Sequence, residues 1–209
     1  HEFATPLSGG TGILFSLAFV FLYLFLFKNL SYFEYIFFCM LFFFLGFLDD
    51  LKISLRPKIR LILMIIILII AIHYNNFYIA KTGIEILNIW LNSSNIFSLF
   101  FVCLCFLFVV NGANLIDGYN GLLGFHSLII ILNLFFINYF NQNYDLAILL
   151  FCLILILIVF LIFNFPKARL FLGDGGSYLL GSFIAISVIE TSMINPAISP
   201  FYFCILFYY

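Results

Sequence analysis

Charge is scarce in this 209-residue chain: eight Lys and Arg stand against nine Asp and Glu, 8% of all residues, while 66% are hydrophobic. Soluble domains carry about 25% charged residues, so a water-solvated surface is excluded. An integral membrane protein is expected instead, in keeping with a mean hydropathy of +1.27. The few basic residues are too dispersed to form a phosphate-backbone stripe, so no nucleic-acid partner is expected. Paired cysteine chemistry is missing as well. Cys39, Cys103, Cys105, Cys152 and Cys204 all lie inside apolar runs, which argues against a disulfide framework or a thiolate metal site. The runs also lack period-two alternation, and an open sheet would leave unpaired edges in lipid, so strands are not expected as spans.

What the chain has in abundance is membrane-length apolar sequence, with 32 Phe among its residues. Candidate spans run over 12–27, 31–48, 59–72, 96–110, 122–140, 146–163 and 178–194, with a partial one from Pro200. Several fall short of the roughly 20 residues that cross a bilayer, so the helices are expected to reach into their polar flanks. The fold class is therefore all-α, a polytopic membrane helix bundle of about seven full spans and one partial. The sequence starts at His1 without methionine and stops at Tyr209 inside an apolar run. It reads as one transmembrane domain, 1–209, cut at both ends. Segment 73–95 contains IAKTGIEILNI, with Gly83 between two short runs, and is expected to be a small hairpin.

Four polar islands interrupt the apolar sequence: TPLSGG at 5–10, DDLK at 49–52, NGANLIDGYNG at 111–121 and FNFPKARLFLGDGGS at 163–177. Six of the eight basic residues fix the orientation. Lys52, Arg56, Lys58 and Arg60 follow the second span, and Lys167 and Arg169 follow the sixth. The positive-inside bias places both loops in the cytoplasm, and helix parity then puts all four islands on that face.

Adjacent carboxylates Asp49 and Asp50, followed by basic residues, can bind a hard cation or divide the roles of base and ligand. They can equally form a solvated helix end. The three asparagines and three glycines of 111–121 allow close backbone approach to a ligand and amide pairing with base or sugar edges, where a plain turn needs fewer such residues. In the fourth island a glycine-rich turn leads into a helix N-terminus, a ready phosphate site, with Asp174 available to a divalent ion. Simple capping by Asp174 and Ser177 is the alternative. The stretch lacks the lysine-serine or lysine-threonine pair of a Walker A loop. Together the islands suit a metal-bound diphosphate, with a lipid phosphate as the natural acceptor at an apolar body.

The ordered motifs TPLSGG, LGFLDDLK, NGANLIDGYNGL and FNFPKARLFLGDGGS resemble those of the polyprenyl-phosphate N-acetylhexosamine-1-phosphate transferases, over nearly the whole chain. The resemblance implies transfer of an N-acetylhexosamine 1-phosphate from a UDP-sugar to a polyprenyl (undecaprenyl) phosphate, with release of UMP. The product would start a lipid-linked envelope glycan of the cell wall or lipopolysaccharide. It implies Mg²⁺, with Mn²⁺ as a substitute, a multi-pass place in the inner (plasma) membrane, an active site facing the cytoplasm, and a homodimer. Carried over residue by residue, Asp49, Asp50 and Asp117 are the catalytic acids, Asp49 the base, and Asp174 the metal ligand. Lys52 answers to a phosphate partner and Lys58 to the family's loop lysine, both on the substrate-binding side. Asn114, Asn120 and Asn164, with Asp117, line the nucleotide-sugar site, and Phe171 packs against uracil. Direct attack by the lipid phosphate and a covalent aspartyl intermediate both stay open.

Two departures stand out. The family commonly has DGxDG where this chain has Asp117, Gly118, Tyr119, Asn120 and Gly121, so Asn120 replaces an acid, and an amide can still pair with uracil. The histidine-rich loop of the family falls beyond Tyr209, and neither His73, expected outside, nor His126, expected within a span, replaces it. A multi-span transporter is the competing class. Transporters place ionisable groups near the membrane midplane, whereas here the acids sit at helix ends, Glu190 excepted.

Overall fold

The computed structural model describes residues 5–53, 55–79 and 81–204, and among these the chain is all helix and loop, with no strand. In chain order the helices are α1 (Gly9–Lys28), α2 (Phe33–Asp50), α3 (Pro57–Asn75), α4 (Glu85–Ser93), α5 (Asn95–Ile116), α6 (Leu122–Phe140), α7 (Tyr144–Asn164), α8 (Gly173–Ile194) and α9 (Phe201–Cys204). Six of them, α1, α3, α5, α6, α7 and α8, are long and apolar enough to cross a membrane. Helix α2 has the length, 18 residues, but carries Glu34, Asp49 and Asp50. Of the expected partial span, the described residues contain the four of α9.

Helix α8 is the centre of the bundle, with 83% of its most apolar window buried, against 22% for α3. Helices α1, α2, α5 and α6 pack around it, α7 closes against α1 and α6, and α3 and α4 lie outside on α5. Small residues make that central position workable. Without a hydrophobic force between helices in lipid, close backbone approach supplies the packing energy, and glycine and serine permit it. A Cβ on Gly181 would lie 2.9 Å from the Val110 backbone of α5. The serines of α8 bond back to their own helix, Ser182 to the Leu179 carbonyl at 2.9 Å and Ser187 to that of Phe183 at 2.8 Å. Neither hydroxyl is thereby left facing apolar neighbours without a partner.

The described boundaries correct the expected ones in an informative way. Helix α5 continues through Asn111, Gly112, Ala113 and Asn114 to Ile116, and α8 begins at Gly173, five residues before its expected start. All four polar islands are thus partly helix ends rather than loops. At this end the polar side chains find partners on neighbouring helices, as Asn114 of α5 does on Asp174 and Ser177 of α8, so polar residues end the apolar run without ending the helix. The expected hairpin in 73–95 is also corrected: Glu85–Ser93 forms helix α4, because the Ile86, Ile89 and Trp90 spacing has the helical period rather than alternation.

Candidate active site at the polar end of the bundle

Three helix termini bring the acids together. The last turn of α2 carries Asp49 and Asp50, the residue after α5 is Asp117, and the first turn of α8 carries Asp174. The alternating directions of the helices place the starts of α1, α3, α6 and α8 and the ends of α2, α5 and α7 at this one end of the bundle.

Asp50 holds the start of α8. Its carboxylate accepts from the backbone N–H of Asp174 at 2.8 Å and of Gly175 at 2.9 Å, two of the groups a helix leaves unsatisfied at its N-terminus. The negative charge also faces the positive end of the helix dipole. Gly173 is needed beside it: its φ is +77°, and a Cβ there would lie 2.7 Å from Asp50 Oδ2. Asp174 is oriented by α5, whose Asn114 amide donates to Asp174 Oδ1 at 2.8 Å and to Ser177 Oγ at 3.0 Å. That leaves Oδ2 of Asp174 outside this pair. Asp49 forms an ion pair with Arg60 of α3, and the Arg60 guanidinium also lies 5.7 Å from the ring centre of Tyr178.

Asp117 is half-buried at the end of α5, with its carboxyl pushed up to about 7 from 3.8. Burial is the main cause, and the negative charges of Asp174 and then Asp50 add to it. The cluster thus concentrates negative charge, with Arg60 committed to Asp49. Such a site suits a cation. Among the described residues no group of three or more His, Cys, Asp or Glu gathers as a ready-made metal centre. A magnesium site on a diphosphate needs fewer, because it takes one or two carboxylates and fills the rest of its octahedron with water and phosphate oxygens. Asp117 and Asp174, whose charges act on one another, are the two carboxylates here that could hold such an ion.

The remaining residues singled out in the sequence divide into two groups. Lys52 and Lys58 are exposed around the α2–α3 connection, Lys52 with a left-handed φ of 61° and its N–H bonded to the Asp49 carbonyl at 2.9 Å. Asn120, Asn164 and Phe171 instead join loop to loop. The buried Asn164 amide spends both ends on backbone, accepting from the Gly121 N–H and donating to the Leu170 carbonyl at 2.9 Å. Asn120 donates to the Pro166 carbonyl at 3.1 Å. Phe171 is tied to the TPLSGG segment: its N–H donates to the Pro6 carbonyl at 2.9 Å, and its carbonyl accepts from Gly9 at 2.8 Å. The first island therefore braces the floor of the site.

Sequence reasoning placed Arg60 only in a general basic cluster and did not single out Tyr178 at all. Nothing in the local pattern marks Arg60 over Arg56 or Lys58. Only the register of α3, with Pro57 at its first turn, turns that residue toward Asp49.

The family model for Glycosyl transferase family 4 matches residues 32–192. The chain is 36% identical over 197 residues to a phospho-N-acetylmuramoyl-pentapeptide-transferase of Dictyoglomus turgidum, covering 89% of this chain and 60% of that protein. The corresponding figures for the protein of that name from Dictyoglomus thermophilum are 35%, 89% and 60%. For the one from Streptococcus pyogenes serotype M3 they are 33%, 68% and 44%. The chain thus spans about 60% or less of the length of these relatives. With the family match running from the start of α2 to the last turns of α8, and so across every acid of the cluster, this chain belongs to glycosyl transferase family 4.

Proposed function

We propose that the chain forms the membrane-embedded catalytic part of a transferase that moves N-acetylhexosamine 1-phosphate from a UDP-sugar to a polyprenyl phosphate, releasing UMP. The observation that carries this proposal is the meeting of Asp49, Asp50, Asp117 and Asp174 at one end of an apolar bundle, with Arg60 beside them. Similarity to phospho-N-acetylmuramoyl-pentapeptide-transferases supports sugar-phosphate transfer, and a cell-wall precursor as its product, over transport. The polar end faces the cytoplasm of the inner membrane in this proposal, as the basic residues of the α2–α3 and α7–α8 connections favour.

In the reaction an oxygen of the lipid phosphate forms a bond to the sugar-bearing phosphorus of the UDP-sugar. The bond from that phosphorus to the bridging oxygen breaks, and UMP leaves. Asp49 takes the proton of the acceptor phosphate, and Arg60 holds the Asp49 carboxyl in place for that task. Mg²⁺, or Mn²⁺ in its place, would neutralise charge on the diphosphate and would be held by Asp117 and Asp174. Asp50 and Asn114 fix where Asp174 stands. Lys52 and Lys58 supply cations to the phosphates, and Phe171, braced by the TPLSGG segment, offers its ring to the uracil.

The test is UMP release by membranes containing the protein, supplied with polyprenyl phosphate, Mg²⁺ and a panel of UDP-N-acetylhexosamines. Asp49→Asn and Asp174→Asn are expected to lower release by at least about 100-fold at unchanged protein level. A chelator should abolish it and excess Mg²⁺ restore it. Unaltered turnover in both variants would refute the roles assigned to the two acids.

A further inference from the structure

Helix α4 sits at the end of the bundle opposite the acids, where α3 finishes at Asn75 and α5 begins at Asn95. Its nine residues, EILNIWLNS, carry one charge, Glu85, and no base. One stripe of this short helix is apolar and open: Ile86 is 70% exposed, Ile89 62% and Trp90 58%. The opposite side is committed to the protein. Leu91 is buried, and Asn88 Oδ1 accepts from both the N–H and the hydroxyl of Thr82 at 2.8 Å.

We infer that α4 is an interfacial helix, lying on the lipid of the leaflet opposite the acid cluster with Ile86, Ile89 and Trp90 among the upper acyl chains. Three observations choose lipid as the occupant. Ser94 alone separates α4 from the spanning helix α5, so α4 is held at the end of the bundle where that helix begins. The stripe also runs on into the exposed row of α5, Ile96 and Phe100, a helix that crosses the bilayer, and Trp90 packs edge-on against Phe97 with ring centres 5.6 Å apart. Finally Trp90 shares this end of the bundle with Tyr74 and Tyr78, both exposed around the end of α3, and amphipathic rings collect at the boundary between head groups and chains. A short helix with an apolar face and hardly any charge binds such a boundary through buried area alone, without a demand for anionic lipid.

The chain contains a single tryptophan, so intrinsic fluorescence reports Trp90 with no substitution. The protein is reconstituted into phosphatidylcholine vesicles, and its emission is quenched in turn by aqueous iodide, by lipid brominated close to the head group and by lipid brominated near the chain end. Interfacial placement predicts blue-shifted emission, strong quenching by the shallow bromolipid, weaker quenching by the deep one and little by iodide. The Ile86→Trp/Trp90→Phe double variant, which moves the probe one turn back along the same stripe, should reproduce that order. Iodide quenching without bromolipid quenching would place the face in water and overturn the inference. Protection from all three quenchers would do the same, because a protein surface, such as a second copy of this chain, would then cover the stripe. Stronger quenching by the deep bromolipid would overturn it by placing α4 in the hydrocarbon core.

Discussion

At the scale of single residues, the unusual group is Asp117. Its carboxyl ionises at about 7 in the folded protein, against 3.8 for an unperturbed one. Across that interval the unfolded chain has already lost the proton that the native state keeps, so native stability falls as pH rises from about 4 to 7. Asp117→Asn removes this liability. Without metal, the variant should unfold at a higher temperature than the wild type at pH 8 and at nearly the same temperature at pH 4, as read by thermal unfolding in detergent. A variant no more stable than the wild type at pH 8 would mean that the carboxyl is not held in this unfavourable state. Asn164 makes the opposite case. Replacing it with Ala leaves the Gly121 N–H and the Leu170 carbonyl without partners, at a cost of about 1–3 kcal/mol for each one buried. Faster proteolysis in segments 117–121 and 165–172 would be the sign of their release.

These two residues also mark how far the sequence could be read at this scale. Both stood out as polar groups in an oily chain. Their duties did not, because an amide that reads a nucleotide and one that ties two loops have the same side chain. Only the partners distinguish them.

At the scale of elements, the start of α8 decides the site. Asp50→Ala removes both acceptors from the Asp174 and Gly175 amides and takes a negative charge from the helix N-terminus, a loss of about 1–3 kcal/mol. Asp50→Asn, which keeps one acceptor but not the charge, should lose roughly half as much. Equal loss in the two would show that charge rather than the remaining hydrogen bond holds the helix there. Packing sets the same element from the other side. A Cβ at Gly46 of α2 would overlap the Asp174 carbonyl, so Gly46→Ala is expected to cost about 1–3 kcal/mol and to displace Asp174. Gly12→Ala on α1, where nothing lies within 4 Å, is the matched control and should lower neither stability nor turnover. The existence of nearly every long helix was legible from apolar length. Their ends were not: α5 and α8 run into asparagine, glycine and aspartate, because interhelical bonds such as Asn114 to Asp174 satisfy what the lipid cannot.

At the scale of the whole molecule, the acids come from positions 49, 50, 117 and 174, and no local segment holds more than two of them. A cation that binds the assembled cluster and not the unfolded chain must stabilise the fold by mass action. Millimolar Mg²⁺ is accordingly expected to raise the unfolding temperature of the wild type and to leave that of an Asp117→Asn/Asp174→Asn variant unchanged. An equal rise in both would place the ion elsewhere.

The amino-acid sequence by itself determined that the chain spans a membrane, which of its residues are chemically anomalous there, and that its polar islands share one end. Each of these follows from properties that add along the chain: transfer free energy per residue, helix length and the parity of crossings. Tertiary structure alone decided that Asp50 caps α8 while Asp49 pairs with Arg60, that Asn164 is a staple, and that Asp117 is raised by burial and by its neighbours. Those outcomes depend on helix register and on backbones brought close by Gly10, Gly46 and Gly181, and such approach is a property of pairs of helices that no single segment encodes.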